Sequence, residues 1–325
     1  MIKFIFGIFI FCIVLFLYLH IQFHLKTSDD LEIYEMETFS KLKLEEICDV
    51  RQPVLFQTDL INVVYNNITK QFCLKEYSSF EIKIRNCNDI DTDAELYIPL
   101  PFSDANRLFL EDKNATFFSE RNEDYLQETG LIKLLKTNDE FLRPTMVSNC
   151  YYDILFGSNN AFTPFRYEVS YRNYFLLTSG SAVIKLSPPK SSKYLYPIKD
   201  YDNFEFKTII NPWNVQSEYI NDFDKIKCLE FKLEPGKILF IPAFWWYSIQ
   251  FQNDTSIVSF KYRTYMNNCA ISPYIGMHLL QLQNVKRNSV KKIDLNELNQ
   301  KKQQNSPEPE PEQKIIDISV INKIE

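Results

Sequence analysis

At 325 residues with 45% hydrophobic side chains, the chain is long enough to bury a sizeable core as one large or two small domains. Its formal net charge of −6 excludes a dedicated nucleic-acid binder, which needs a basic footprint to neutralise phosphates. Only 6 Gly stand against 27 Phe and 19 Tyr, a balance that favours pleated, half-buried surfaces over glycine-rich nucleotide loops.

From Phe4 to Leu19 every position is apolar except Gly7, and Ile21, Phe23 and Leu25 carry the run past His20, Gln22 and His24. That approaches the roughly 20 residues needed to cross a bilayer. A cleavable signal peptide is the competing reading, but no small-x-small site follows, so residues 1–25 read as a transmembrane signal-anchor of a single-pass membrane protein. Lys3 and the amino terminus oppose Lys26, which favours the N-terminus inside and the body on the lumenal or exterior side. Sequons at Asn67, Asn114 and Asn253 fit that side as N-glycosylation sites. Six cysteines outside the span, none in a CxxC pair, allow either disulfides or buried free thiols and give no metal motif.

Residues 26–142 read as an α/β extension. Ile33 to Met36 suggests a strand, and Thr38 to Asp49 a helix capped by Ser40. Pro53 to Phe56 reads as a strand, Asp59 to Tyr65 as a helix, and Phe72 to Arg85 as strands. Asn86 to Asp93 is a polar loop. Helical spacing returns over Pro101 to Asp112 and Glu123 to Leu135, the latter broken near Gly130.

From Arg143 the pattern changes to short runs divided by Gly, Pro, Asn and Ser: Tyr151 to Phe156, Tyr174 to Leu177, Ala182 to Leu186, Leu229 to Leu233, Ile238 to Ile241, Tyr247 to Phe251 and Ser256 to Tyr262. Such spacing predicts a sandwich or barrel over 143–270. Ser272 to Val285 is helical, within a C-terminal helix segment 271–287. The remainder, 288–325, is acidic and Pro-rich and cannot build a core.

Several of these runs carry a resemblance. Thr163-Pro164-Phe165-Arg166-Tyr167-Glu168 resembles the TPxHYD motif of the JmjC and cupin-like 2-oxoglutarate oxygenases. Asn173 and Gly180 stand where that family has an asparagine and a glycine on the next strand, one residue further on than expected. Leu186 to Pro189 with Tyr194 to Pro197 resembles its LFPP...LYP segment. Leu233 to Tyr247 is similar to its PGDVLYIPxxWWH. The resemblance spans roughly Glu32 to Met266. It implies a double-stranded β-helix (cupin, or jelly-roll) barrel, so the chain is expected to be mainly β, with the α/β extension before the barrel, a C-terminal helix after it and, from its apolar N-terminus, one transmembrane helix.

The family uses Fe(II) and 2-oxoglutarate, the metal held by an HxD pair and a second histidine beyond the tryptophans. Here the first histidine is Arg166, the aspartate Glu168 and the second histidine Tyr247. A guanidinium offers no lone pair, and the chain's histidines, His20, His24 and His278, lie elsewhere. The lysine expected to bind 2-oxoglutarate is Ala182. The expectation is therefore a degenerate member with neither cofactor, acting as a binding or structural module. The rivals are an oxygenase (hydroxylase) with atypical ligands and a carboxylate or peptide receptor using the former pocket of Arg166, Glu168, Asn173 and Tyr247.

At i and i+2 on a strand, Arg166 and Glu168 share a face, which suggests an ion pair with the Tyr247 hydroxyl as third partner. The alternative is that these side chains are merely exposed. Trp245 and Trp246 read as packing at a corner, and Lys185, Lys190 and Lys193 as a solvated face. Met277, Leu279, Leu280 and Leu282 suggest a helix that either pairs a homodimer, as relatives of this fold do, or packs on the body. A protein or peptide partner is expected alongside the membrane. The Lys, Asn and Ile usage with such an anchor resembles proteins of large DNA viruses as a class.

Overall fold

A computed structural model describes residues 2–37, 40–57, 62–88 and 97–283. The tail over 288–325, the end of the helix expected to reach Val285 and most of the Asn86 to Asp93 loop lie outside these residues. The first element, α1 (Ile2–Leu25), is long and apolar enough to cross a membrane. Phe4 to Leu19 expose their large side chains, as an apolar helix facing lipid would. Its last turn differs: His24 is buried, and its ring packs 4.9 Å from Tyr171 while Nε2 meets the Thr264 hydroxyl at 3.3 Å.

The extension begins with β1 (Tyr34–Met36), α2 (Lys41–Cys48), β2 (Val54–Phe56), α3 (Asn62–Asn67), α4 (Lys70–Tyr77) and β3 (Glu81–Asn86). Ser40 caps α2 as its position suggests, its hydroxyl accepting from the Lys43 N–H. The stretch from Phe72 is a correction. It is helical up to Tyr77, because the Thr69 hydroxyl accepts from the Phe72 N–H and starts a turn that buries Cys73; the alternation becomes a strand only at Glu81. Next come β4 (Ile98–Pro101), α5 (Phe102–Glu111), β5 (Phe117–Ser119), α6 (Glu123–Glu128) and α7 (Leu131–Asn138). Gly130, at φ 75°, makes the break between the last two.

The remaining strands are β6 (Val147–Gly157), β7 (Arg166–Tyr167), β8 (Arg172–Ser179), β9 (Ala182–Ser187), β10 (Pro197–Asp200) and β11 (Glu205–Thr208). After the short α8 (Ile220–Phe223) follow β12 (Leu229–Leu233), β13 (Ile238–Ile241), β14 (Trp246–Phe251) and β15 (Ser256–Thr264), then α9 (Tyr265–Ala270) and α10 (Ser272–Gln283). They build two sheets. One runs β1-β2-β13-β8-β15-β6-β5-β3-β4 and the other β10-β11-β7-β14-β9-β12. The chain is thus mainly β, with one N-terminal helix of membrane-spanning length and helices at its C-terminal side.

Strand alternation explains three apolar clusters. Phe175 and Leu177 of β8 join Leu239, Ile241 and Ile257 of the larger sheet and Ala182, Ile184, Leu186, Tyr247 and Ile249 of the smaller one in a shared core. The intervening Tyr174 and Leu176 point the other way, onto the helices of the extension with Phe56, Phe240 and Tyr262. The outer face of the smaller sheet packs Tyr167, Phe206 and Trp246 under α10. The paired tryptophans therefore serve two cores: Trp245 donates its indole N–H to the Arg51 carbonyl, and Trp246 to the Ser192 hydroxyl. Cys48, Cys73, Cys150, Cys228 and Cys269 are unbridged, and burial pushes the Cys48 thiol up to about 11.

Candidate functional site

Cross-strand register assembles the site. On the smaller sheet Arg166 lies opposite Lys207 on one side and Tyr247 on the other, so all three share a face. Glu205, two residues before Lys207, joins that face, while Phe206 between them turns to the outer core. The larger sheet supplies Arg85 from β3 and Glu120 just beyond β5.

Arg85, Arg166, Glu120 and Glu205 form a buried cluster, with Lys207 at its edge. Arg166 donates from Nη2 to Glu120 Oε2 at 2.5 Å and from Nη1 to Glu205 Oε1 at 3.0 Å. Arg85 reaches the same two carboxylates, Glu120 at 2.9 Å and Glu205 at 2.9 and 3.1 Å. The Tyr97 hydroxyl donates to Glu120 at 2.9 Å, and the Lys207 ammonium stands 3.6 Å from Glu205. Burial pushes the Glu120 carboxyl up, but the Arg166 and Arg85 guanidiniums outweigh it and hold it well below the usual range. The same contest, with Arg85 foremost, lowers Glu205 to about 2. Arg85 and Arg166 share hydrogen bonds with both carboxylates and Lys207 adds a third, longer ion pair, so the two anions are well compensated, the condition under which a buried ion cluster is tolerated.

The expected ion pair between Arg166 and Glu168 is thus corrected. Arg166 is taken by Glu120 and Glu205, whereas Glu168 accepts from the Lys261 ammonium at 2.6 Å and the Tyr247 hydroxyl at 3.0 Å. Burial raises the Glu168 carboxyl, and Lys261 followed by Arg166 more than reverses this, so it stays ionised at neutral pH. Tyr247 does serve as a partner of Glu168, and its ring lies 5.7 Å from the Arg166 guanidinium carbon. Nor are these side chains exposed: Arg166 and Tyr247 are buried and Glu168 nearly so.

Asn173 stands apart from this group. Its amide donates to the Ser170 and Ile241 carbonyls and straps β8 to β13. Gly180, at φ 71°, is a turn requirement, since a Cβ there would meet the Asn253 carbonyl at 2.6 Å. Ala182 sits in the apolar core between Leu233 and Phe251.

Beside the cluster a cavity of about 690 Å³ opens, lined by Glu120, Arg121, Asp153, Arg166, Glu168, Lys261 and Arg263 among others. The size lies in the range of small-molecule pockets. Asp153 on its wall is half-buried and accepts from the backbone N–H groups of Arg121 and Asn122, both at 2.7 Å. Burial pushes its carboxyl up to about 6 in spite of them. Arg121 has φ 59°, a conformation uncommon for a residue with a Cβ, and the Asp153 contact holds it.

Sequence reasoning missed Arg85, Glu120, Arg121, Asp153, Glu205, Lys261 and Arg263. Lys261 and Arg263 carried a signal: two cations at i and i+2 in the apolar run of β15 must share a face. The others come from distant segments. Of the three lysines read as a solvated face, Lys185 pairs with Glu230 at 3.3 Å and Lys190 bonds Asp29. All three sequon asparagines, Asn67, Asn114 and Asn253, are exposed.

The donor set does not fit the metal of the oxygenases the motifs resemble. Arg166 has no lone pair, the Tyr247 hydroxyl keeps its proton because burial and then Glu168 raise it well above its ordinary value, and Glu168 already binds an ammonium. Among the described residues no three His, Cys, Asp or Glu side chains are grouped to share an ion. The space between the sheets is filled by Phe175, Leu186, Tyr247 and Ile249, with no cation at Ala182 for a cosubstrate carboxylate.

Comparison with known proteins matches residues 78–268, more than half of the chain, to the family model described as the cupin-like domain. Three curated proteins named HSPB1-associated protein 1, from Rattus norvegicus, Mus musculus and Bos taurus, are each 28% identical over 95 residues. Those residues are 29% of this chain and 20% of each relative, so the chain spans about a fifth of the length of the curated relatives it matches.

Proposed function

Because this chain belongs to the cupin-like domain family, with its motifs in order but its metal-ligand positions rebuilt, we propose that it is a catalytically inactive, membrane-anchored binding module. The observation that carries this reading is the pairing of Lys261 with Glu168 beside an Arg166 whose two terminal nitrogens already bond two carboxylates. An ammonium 2.6 Å from the one carboxylate of the triad supplies the positive charge that a divalent ion would bring, and repels such an ion. What survives of an active site is a cavity with polar walls.

The membrane half of the reading rests on α1, and the lumenal or exterior placement of the body on the flanking charges and the exposed sequons. A protein or peptide partner remains part of it, in keeping with a relative whose name marks it as another protein's associate. Met277, Leu279, Leu280 and Leu282 are all exposed on α10, so packing on the body does not account for them, and a second copy of this chain is their proposed partner.

The test is direct. Full-length protein in detergent is titrated with Fe(II) and assayed for 2-oxoglutarate turnover, with expected results of no iron binding and no turnover above buffer. Iron-dependent succinate release abolished by Glu168→Ala would replace this reading with that of an oxygenase using atypical ligands.

A further inference from the structure

Three arginines line the cavity, and only Arg166 has carboxylate partners. Arg121 donates from Nη2 to the Asn203 carbonyl at 2.7 Å, and its guanidinium carbon lies 5.5 Å from the Tyr97 ring. Arg263 donates from Nε to the Ser170 hydroxyl at 3.3 Å and lies against two rings, Phe204 at 4.6 Å and Tyr151 at 5.1 Å. Neither forms an ion pair with any described residue. The two guanidiniums flank one short segment, Asn203 and Phe204, and their remaining N–H groups are unspent.

The surrounding acids direct their hydrogen bonds elsewhere. Glu120 and Glu205 belong to the buried cluster, Glu168 to Lys261, and Asp124 to Lys83 at 2.7 Å. Asp153 is turned onto backbone N–H groups, and Glu123 accepts from Gln127 at 3.2 Å. Two features pre-organise the arginines. Asp153 holds Arg121 in its left-handed turn, and the Tyr151 and Phe204 rings hold Arg263, with Phe204 itself at φ 50°. Strained backbone at two points on one cavity wall is a marker of a binding site.

We propose that the cavity takes a small organic anion, its carboxylate or phosphate group held by Arg121 and Arg263 and its organic body set against Tyr151, Phe204 and Ile275. Guanidinium forks match the planar or tetrahedral oxygens of such groups, and the aromatic wall accommodates an apolar body. Arg166, the more obvious candidate from sequence, takes no part because both its terminal nitrogens are committed to Glu120 and Glu205. The inference rests on the reading of this cavity as a binding site, and it requires no metal.

Isothermal titration of the full-length protein in zwitterionic detergent with inorganic phosphate, succinate, citrate and phenyl phosphate tests it. Phenyl phosphate is expected to bind more tightly than inorganic phosphate. Arg263→Gln and Arg121→Asn are each expected to weaken it about tenfold or more, as loss of a charged hydrogen-bond donor does. Asn tolerates the left-handed turn at position 121, so that variant removes the charge and keeps the fold. Failure of all four anions to bind, or affinity untouched by both substitutions, overturns the proposal. Binding that appears only with added Fe(II) overturns the metal-free reading instead and leaves the arginine contacts standing.

Discussion

Lys261 and Glu168 meet across the two sheets, the ammonium of β15 donating at 2.6 Å to the carboxylate just after β7. The carboxylate best placed to serve as a metal ligand is thereby firmly given another cation. Introducing histidines alone is therefore not expected to create a metal site. In the triple variant Arg166→His, Glu168→Asp, Tyr247→His, equilibrium dialysis should detect no bound iron, since Lys261 stays and Glu120 and Glu205 lose a guanidinium. Stoichiometric iron in that variant would show that Lys261 yields its place.

Arg166 is expected to be worth more to stability than its position on a cavity wall suggests. Arg166→Ala leaves Glu120 and Glu205 sharing Arg85 in a dry environment, a loss on the order of 3–5 kcal/mol for a broken buried pair. Adding Glu120→Gln to Arg166→Ala should recover a large part of it. Thermal unfolding of the single and double variants in the same detergent measures both effects, and a double variant no more stable than the single would argue against electrostatic closure of the cluster.

Acid should act on the fold in two stages of opposite sign. The Asp153 carboxyl is raised to about 6 by burial, so the folded state binds its proton more tightly than the unfolded chain. As pH falls from about 6 to about 4 this group therefore adds stability, by roughly 3 kcal/mol for a shift of that size. Glu120, Glu205 and Glu168 are lowered instead. Their contribution is present above the unfolded carboxyl range near pH 4 and lost as pH falls below it. Melting temperature against pH should thus hold or rise towards pH 5 and drop steeply below about 4, and Asp153→Asn should remove the first stage alone.

Side of the membrane is readable from mass. With Asn67, Asn114 and Asn253 exposed, a lumenal body expressed in a glycosylating host should shift on glycosidase treatment, and Asn→Gln at each site should remove one step. An unshifted band would place the body on the cytosolic side.

Pairing through α10 predicts that Leu280→Glu with Met277→Glu converts a dimer to a monomer in light scattering of the detergent-solubilised protein, leaving melting temperature nearly unchanged. A wild-type monomer at micromolar concentration would remove the case for a second copy.

Much of the architecture could be read in advance because its strands are buried on alternate faces: runs such as LEFKL and ILFI match β12 and β13 residue for residue. The strands that escaped were those with little pattern to show. β7 has two residues, and β10 and β11 mix Pro, Lys, Asp and Glu whose partners lie across the sheet. The α4 segment misled because a threonine cap, not periodicity, decides its start. At the site, motif position found Arg166, Glu168 and Tyr247. Their partners could not be found that way, since Glu120 and Glu205 lie 46 and 39 residues from Arg166 and only folding brings them to it. Pairing Arg166 with its nearest acid in sequence was the natural choice, and geometry assigned that acid elsewhere.

The seating of α1 has a consequence for how copies of this chain meet. Its last turn is fixed into the body by the Tyr171 ring, by Thr264 and by Arg51, which donates to the Phe23 carbonyl at 3.3 Å. Between the apolar helix and the body there is no slack joint. In a bilayer every copy would then ride at one height and one tilt, free to drift and to spin about the membrane normal but not to tumble. Encounters become a search in a plane with a single angle left to match, which lets even a weak patch such as that on α10 find its counterpart at a surface density where the same contact in solution would go unmade.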